Sequence, residues 1–294
     1  MVSTVRTVLG EVPADRLGVV DAHDHLFIRS PQLPGKELDD VADAAARLAG
    51  FGALGGGTVV QWTPYGMGRR TAELPALSRT SGVHIIAATG LHQAAHYAGE
   101  LLDAVRDRLA ELFVGELTEG IGATGVRAGL IKVAGGFHGL DEHATLTMRA
   151  AAEAHHRTLA PIAVHLELGT GALDVLDLLC GELGVRPESV ILGHLNRSPD
   201  FTVHRLAAEA GAFLAFDGPS RTNHGTDWRM PDALRALADA GFGDRLLLGG
   251  DTVTPDTPGM PYLLRRVRPR LELTLGKELV DQLLVANPAR VYAW

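Results

Sequence analysis

The sequence predicts a single-domain α/β protein, residues 1–294, with (β/α)8 barrel architecture. Three observations carry that reading. Short apolar runs rich in Val, Ile and Leu recur about eight times. Alanine-rich stretches with apolar positions at three- and four-residue intervals fill the spaces between them. No linker, low-complexity segment or composition break interrupts the alternation, as expected of a TIM barrel built in one domain.

In chain order the runs are GVVDAH, GTVVQW, VHIIAATG, AGLIKVAGG, PIAVHLE, SVILGHL, AFLAFDG and RLLLGGD. Each is apolar on both faces and bounded by Gly, Pro or a polar residue, which suits a strand covered on both sides in a parallel sheet. The helix-like stretches are LDDVADAAARLAG, ELLDAVRDRLAELF, HATLTMRAAAEAHHRTL, ALDVLDLLCGEL, FTVHRLAAEAG and PDALRALADAG. Gly50, Gly211 and Gly241 are the expected left-handed residues that end three of them. A doubly wound open sheet is the runner-up. It lacks a Gly-x-Gly-x-x-Gly after the first run, and GALGGGT precedes a strand instead of leaving one, so those glycines should cap a helix and turn the chain into the sheet.

Composition narrows the partners. With 27 Lys+Arg against 35 Asp+Glu the formal net charge is −8, which disfavours nucleic acid and anionic membrane surfaces. The single cysteine, Cys180, excludes an intramolecular disulfide and a cysteine-based zinc site; its setting, LDVLDLLC, reads as a packed helix face. No segment has signal-peptide character or the roughly 20 apolar residues of a membrane span. A soluble cytoplasmic protein is expected.

Catalytic groups of such a barrel lie at the C-terminal ends of its strands. His23 and His25, Lys132, His165, His194 and Asp251 all fall there. Each has an ordinary explanation alone: a hydrogen-bonded structural histidine, a snorkelling lysine, a helix-capping aspartate. Their coincidence at equivalent places in separate β/α units points to one shared site. Alternation along a strand lets His23 and His25 face the barrel mouth together while Asp24 faces away. Imidazole suits zinc and similar first-row ions, and this donor set exceeds one tetrahedral ion. Two ions fit better and need a bridge. Lys132 is the candidate, since a buried lysine whose pKa is depressed can lose its proton, and the neutral amine can take up CO2 to become an anionic carbamate.

The ordered ligands, together with DAHDHL, GVHIIAATG, IKVA, GHLNR, AFDG, LGGDT and a closing ANPARVYAW, resemble the amidohydrolase superfamily and, more narrowly, the phosphotriesterase family with its lactonases. The resemblance spans nearly the whole chain. It implies that His23, His25 and Asp251 hold a more buried divalent ion and His165 and His194 a more exposed one. Carboxylated Lys132 and a hydroxide would bridge them. Zinc is the first expectation for the ions; manganese, cobalt and iron are compatible. Asp251 would accept the proton as hydroxide attacks. Two divalent ions against carbamate, Asp251 and hydroxide leave a charge of about +1, suited to a small neutral substrate that becomes anionic in the transition state. The leading reading is a hydrolase of a lactone or carboxylic ester with promiscuous phosphotriesterase activity. An amide hydrolase on the same centre and a non-catalytic binding barrel are the alternatives, and the resemblance also suggests a homodimer.

Departures from the family pattern bear on the substrate. His92 stands where lactonase-like members carry an aromatic residue, and it is a candidate pocket residue; His96 is expected to be solvated. Leu-Asn-Arg follows His194 without the aspartate that relays a proton in some members. Gly218 stands where organophosphate hydrolases place a histidine. Specificity should come from GPSRTNHGTDWRM and TVTPDTPGM, with Arg221, Trp228 and Arg229 as candidate pocket-wall residues.

Overall fold

The computed structural model describes residues 3–219 and 224–294. An antiparallel hairpin, β1 (Thr4–Thr7) and β2 (Gly10–Pro13), comes first. The apolar runs then become the parallel strands β3 (Val19–Asp24), β4 (Gly56–Gln61), β5 (His84–Gly90), β6 (Leu130–Ala134), β7 (Ile162–His165), β8 (Val190–Leu192), β9 (Phe213–Asp217) and β10 (Leu246–Gly249). Each pairs with the next in chain order from β3 to β10. The ends meet where Asp251 N donates to His23 O at 2.9 Å and Gly250 N donates to Asp21 Oδ1 at 3.0 Å. The result is a nearly closed (β/α)8 barrel.

Strand alternation sorts the core into two parts. Val20, Ala22, Val60, Ile86, Leu130 and Leu247 fill the barrel interior, and the other strand face packs under the surrounding helices. The hairpin and the C-terminal residues close the lower end of the barrel: Trp294 N donates to Thr4 O, and the Tyr292 hydroxyl donates to Ala22 O at 2.6 Å. At the opposite end the register pairs Gly90 with Lys132 and Ala134 with His165. A Cβ at Gly90 would lie 1.9 Å from Lys132 O, so only glycine lets β5 approach β6 beside the lysine.

Helix ends agree with expectation at Gly211 and Gly241, which follow the helices Phe201–Glu209 and Met230–Asp239 with φ of +105° and +92°. Gly50 does not end a helix. Val41–Ala53 runs past it, and Gly55, at φ +88°, makes the turn into β4. The helix tolerates Gly50 and Gly52 because the Asp40 side chain caps its start and Leu48 and Phe51 are buried beneath it. The hairpin, the helix Leu74–Ser81 and the helical stretch after Gly259 are absent from the sequence reading; they are short or lack a clean apolar period. Among the described residues no helix is long and apolar enough to cross a membrane.

Candidate metal centre

Every predicted ligand lies at the mouth formed by the strand C-termini. His23 is fixed by stacking on Trp62, with ring centroids 3.7 Å apart, and His25 follows two residues on. Their Nε2 atoms stand 3.5 and 3.6 Å from the same oxygen, Asp251 Oδ1. These three side chains are buried and their donor atoms fall within 4.8 Å of one another. Across the mouth, His165 Nδ1 and His194 Nε2 approach to 2.8 Å.

The nitrogen that each histidine turns away from the centre has its own partner. Asp217 accepts from His23 Nδ1 at 2.8 Å and from His194 Nδ1 at 2.5 Å. Thr63 Oγ1 donates to Phe27 O, so at 2.7 Å it accepts from His25 Nδ1. Glu167 accepts from His165 Nε2 at 3.1 Å. Each outer partner fixes the tautomer and leaves the inward nitrogen with its lone pair free. The inward set of four imidazole nitrogens and a carboxylate oxygen fits divalent first-row ions. His23, His194 and Asp217 form a second close group. Its short contacts are hydrogen bonds through Nδ1, which makes Asp217 an orienting residue.

Burial tunes the titratable groups in one direction. It lowers His25 and His194 below the ordinary histidine range and takes His165 to about 3, so these rings are neutral near pH 7. Lys132 is 3% exposed, and burial lowers its ammonium to about 7 against the pull of Asp251. A substantial fraction of this lysine is therefore a neutral, nucleophilic amine at physiological pH. Burial favours a neutral Asp251, but the imidazoles and Arg197 outweigh it and hold the carboxyl well below the usual range.

Asp217, Glu167, Thr63 and Arg197 are functional neighbours that the sequence reading did not single out. Asp217 closes the AFD of β9 and so shares the strand-end position that marked the ligands; that position was its available signal. His92 is buried, with its ring 4.5 Å from that of His165 and its Nδ1 without a hydrogen-bond partner among the described residues. His96 is not the solvated residue expected. Its Nδ1 bonds Ser30 Oγ at 2.9 Å, its ring lies 4.3 Å from that of His92, and burial lowers it to about 4. Trp228 is 53% exposed and joins Tyr262, Arg266 and Arg270 around a cavity of about 450 Å³. Arg229 contacts the helical layer: it pairs with Asp232 and lies over the Phe201 and Trp228 rings. Arg221 lies outside the described residues.

Comparison with known proteins agrees with this geometry. Residues 3–292 match the phosphotriesterase family. A phospho-furanose lactonase of Mycoplasmopsis synoviae is 30% identical, with 98% of this chain and 91% of that protein covered. The crystal structure of a lactonase from Listeria monocytogenes superposes with a TM-score of 0.92 at 28% identity, covering 99% of both chains. A variant organophosphorus hydrolase from Deinococcus radiodurans superposes at 0.88 with 29% identity, again over 99% of both. With a family match across nearly its whole length and a mouth of converging imidazoles and carboxylate, the chain belongs to the phosphotriesterase family and is a metal-dependent hydrolase.

Proposed function

We propose that this chain hydrolyses a neutral carboxylic ester, a lactone foremost, at a centre of two divalent ions, with phosphotriesters as slower promiscuous substrates. The observation that carries the reading is the pairing of every outward histidine nitrogen with a separate acceptor, which leaves four inward nitrogens beside Asp251. His23, His25 and Asp251 would hold one ion, His165 and His194 the other, with carboxylated Lys132 between them. When bound, the ions supply an activated water near neutral pH and polarise the carbonyl or phosphoryl oxygen.

The chain's own groups do the rest. At Lys132 the neutral Nζ forms an N–C bond to CO2 and releases a proton, giving the anionic carbamate. Asp251 receives the proton freed in the attack. Arg197, 2.6 Å from its Oδ2, keeps that proton from resting there, so it moves on to the leaving alkoxide, a far stronger base. His92, its ring beside that of His165, would meet the substrate on that side. Trp228, with Tyr262, Arg266 and Arg270 around the same cavity, would form the outer wall.

The lactonases of M. synoviae and L. monocytogenes support the lactone reading, and the D. radiodurans hydrolase supports the phosphotriester side activity. Retention of Asp251 with the full histidine set disfavours a non-catalytic barrel. Family resemblance also suggests a homodimer, for which sedimentation is the direct check. The test of function is a panel of γ- and δ-lactones, acyl-homoserine lactones and phosphorylated sugar lactones, with N-acyl amines and a phosphotriester alongside. Lactones should turn over fastest. Turnover of N-acyl amines alone would transfer the centre to amide hydrolysis.

A further inference from the structure

We propose that Arg197 is the positioning residue for Asp251, and that Gly218 is the vacancy that admits it. The inference rests on the metal-centre reading above and adds an outer partner for Asp251. The two oxygens of Asp251 face different ways. Oδ1 stands 3.5 and 3.6 Å from the inward nitrogens of His23 and His25, whereas Oδ2 takes a hydrogen bond from Arg197 Nη2 at 2.6 Å. A guanidinium held on Oδ2 leaves Oδ1 as the single oxygen presented to an ion, as Asp217, Thr63 and Glu167 leave a single nitrogen on each histidine.

The chain builds this contact with care. His194, at φ +66°, starts the short turn Leu195–Arg197 just past β8. Asn196 then bonds both backbone groups of Asp217, donating to its O at 2.9 Å and accepting from its N at 3.0 Å. That double bond locks the turn against β9 and aims Arg197 at the residue after Asp217, which is Gly218. A Cβ at Gly218 would lie 2.4 Å from Arg197 Nη2 and 2.7 Å from Asp251 Oδ2. Any side chain there would occupy the space of the ion pair. Gly218 and Arg197 are therefore one unit: the missing side chain of the first makes room for the guanidinium of the second.

The experiment is a double-mutant cycle read by zinc affinity, with chelator competition and metal analysis of the intact protein, and by thermal melting to confirm folding. Arg197→Ala should weaken binding of one of the two ions by about 10–100-fold, Arg197→Lys by less. Millimolar guanidinium should restore part of the affinity to Arg197→Ala, a rescue that a general packing defect would not show. Gly218→Ala should weaken the same ion in the presence of Arg197 and weaken it by clearly less in the Arg197→Ala background, where only the contact of the new Cβ with Asp251 remains. The left-handed φ of +61° at Gly218 strains alanine equally in both backgrounds, so the cycle separates eviction of the guanidinium from backbone strain. Equal losses in both backgrounds, or unchanged zinc affinity in Arg197→Ala, would overturn the proposal while leaving the metal centre intact. Absence of zinc binding by the wild-type protein would overturn both.

Discussion

Asp217 accepts the Nδ1 proton of His194 at 2.5 Å, and its other oxygen accepts that of His23 at 2.8 Å. One buried carboxylate thereby orients two of the converging histidines. Asp217→Asn keeps the shape, but its amide offers one acceptor oxygen and one donor nitrogen. One histidine must lose its partner and turn its proton inward. Zinc affinity should fall by about 10–100-fold with little change in the circular dichroism spectrum. An unchanged affinity would remove Asp217 from the centre.

Thr63 does for His25 what Asp217 does for its two partners, with a neutral oxygen. Thr63→Val is nearly isosteric and removes the acceptor. We expect about a tenfold loss of zinc affinity, smaller than for Asp217→Asn because no charge is lost.

Lys132 connects the centre to pH. Its ammonium falls from the ordinary 10.5 to about 7 through burial. Between those values the unfolded chain binds the extra proton, so the stability of chelator-stripped protein should rise with pH from about 7 to 10.5. Below pH 7 both states carry the proton and the slope vanishes. Carboxylation needs the free amine, so metal loading should be faster at pH 8 than at pH 6 and should depend on bicarbonate. Denaturant melts and metal uptake with and without bicarbonate check both statements.

Lys132→Met separates function from stability at the same position. An apolar side chain removes a costly buried amine and should stabilise the stripped protein by about 1–4 kcal/mol, while hydrolysis falls to background. Gly90→Ala acts through the backbone instead. Its Cβ would meet Lys132 O at 1.9 Å, so it should destabilise by on the order of 3 kcal/mol or more. Thermal and urea melts distinguish the two.

Strand order, barrel class and the positions of His23, His25, Lys132, His165, His194 and Asp251 were legible because each strand is an apolar run with a polar residue at its end. The outer partners were harder to read. Thr63 and Glu167 are common loop residues, and only the folded register brings them to a histidine. The aspartate missing after His194 and the glycine at 218 looked like two separate losses from the family pattern, and Arg197 drew no attention. The complementarity of Gly218 and Arg197 exists only where the turn after β8 meets the end of β9. Gly50 misled because a helix buried by Leu48 and Phe51 can carry a glycine in its interior.

The most direct test compares lactone hydrolysis by zinc- or cobalt-loaded protein with that by the same protein stripped by chelator, followed with a pH indicator. We expect kcat/KM on the order of 10⁴ M⁻¹s⁻¹ or more for at least one lactone, loss to background on stripping, and recovery on adding metal with bicarbonate. Turnover indifferent to stripping, or full activity in Lys132→Ala or Asp251→Asn, would contradict the account.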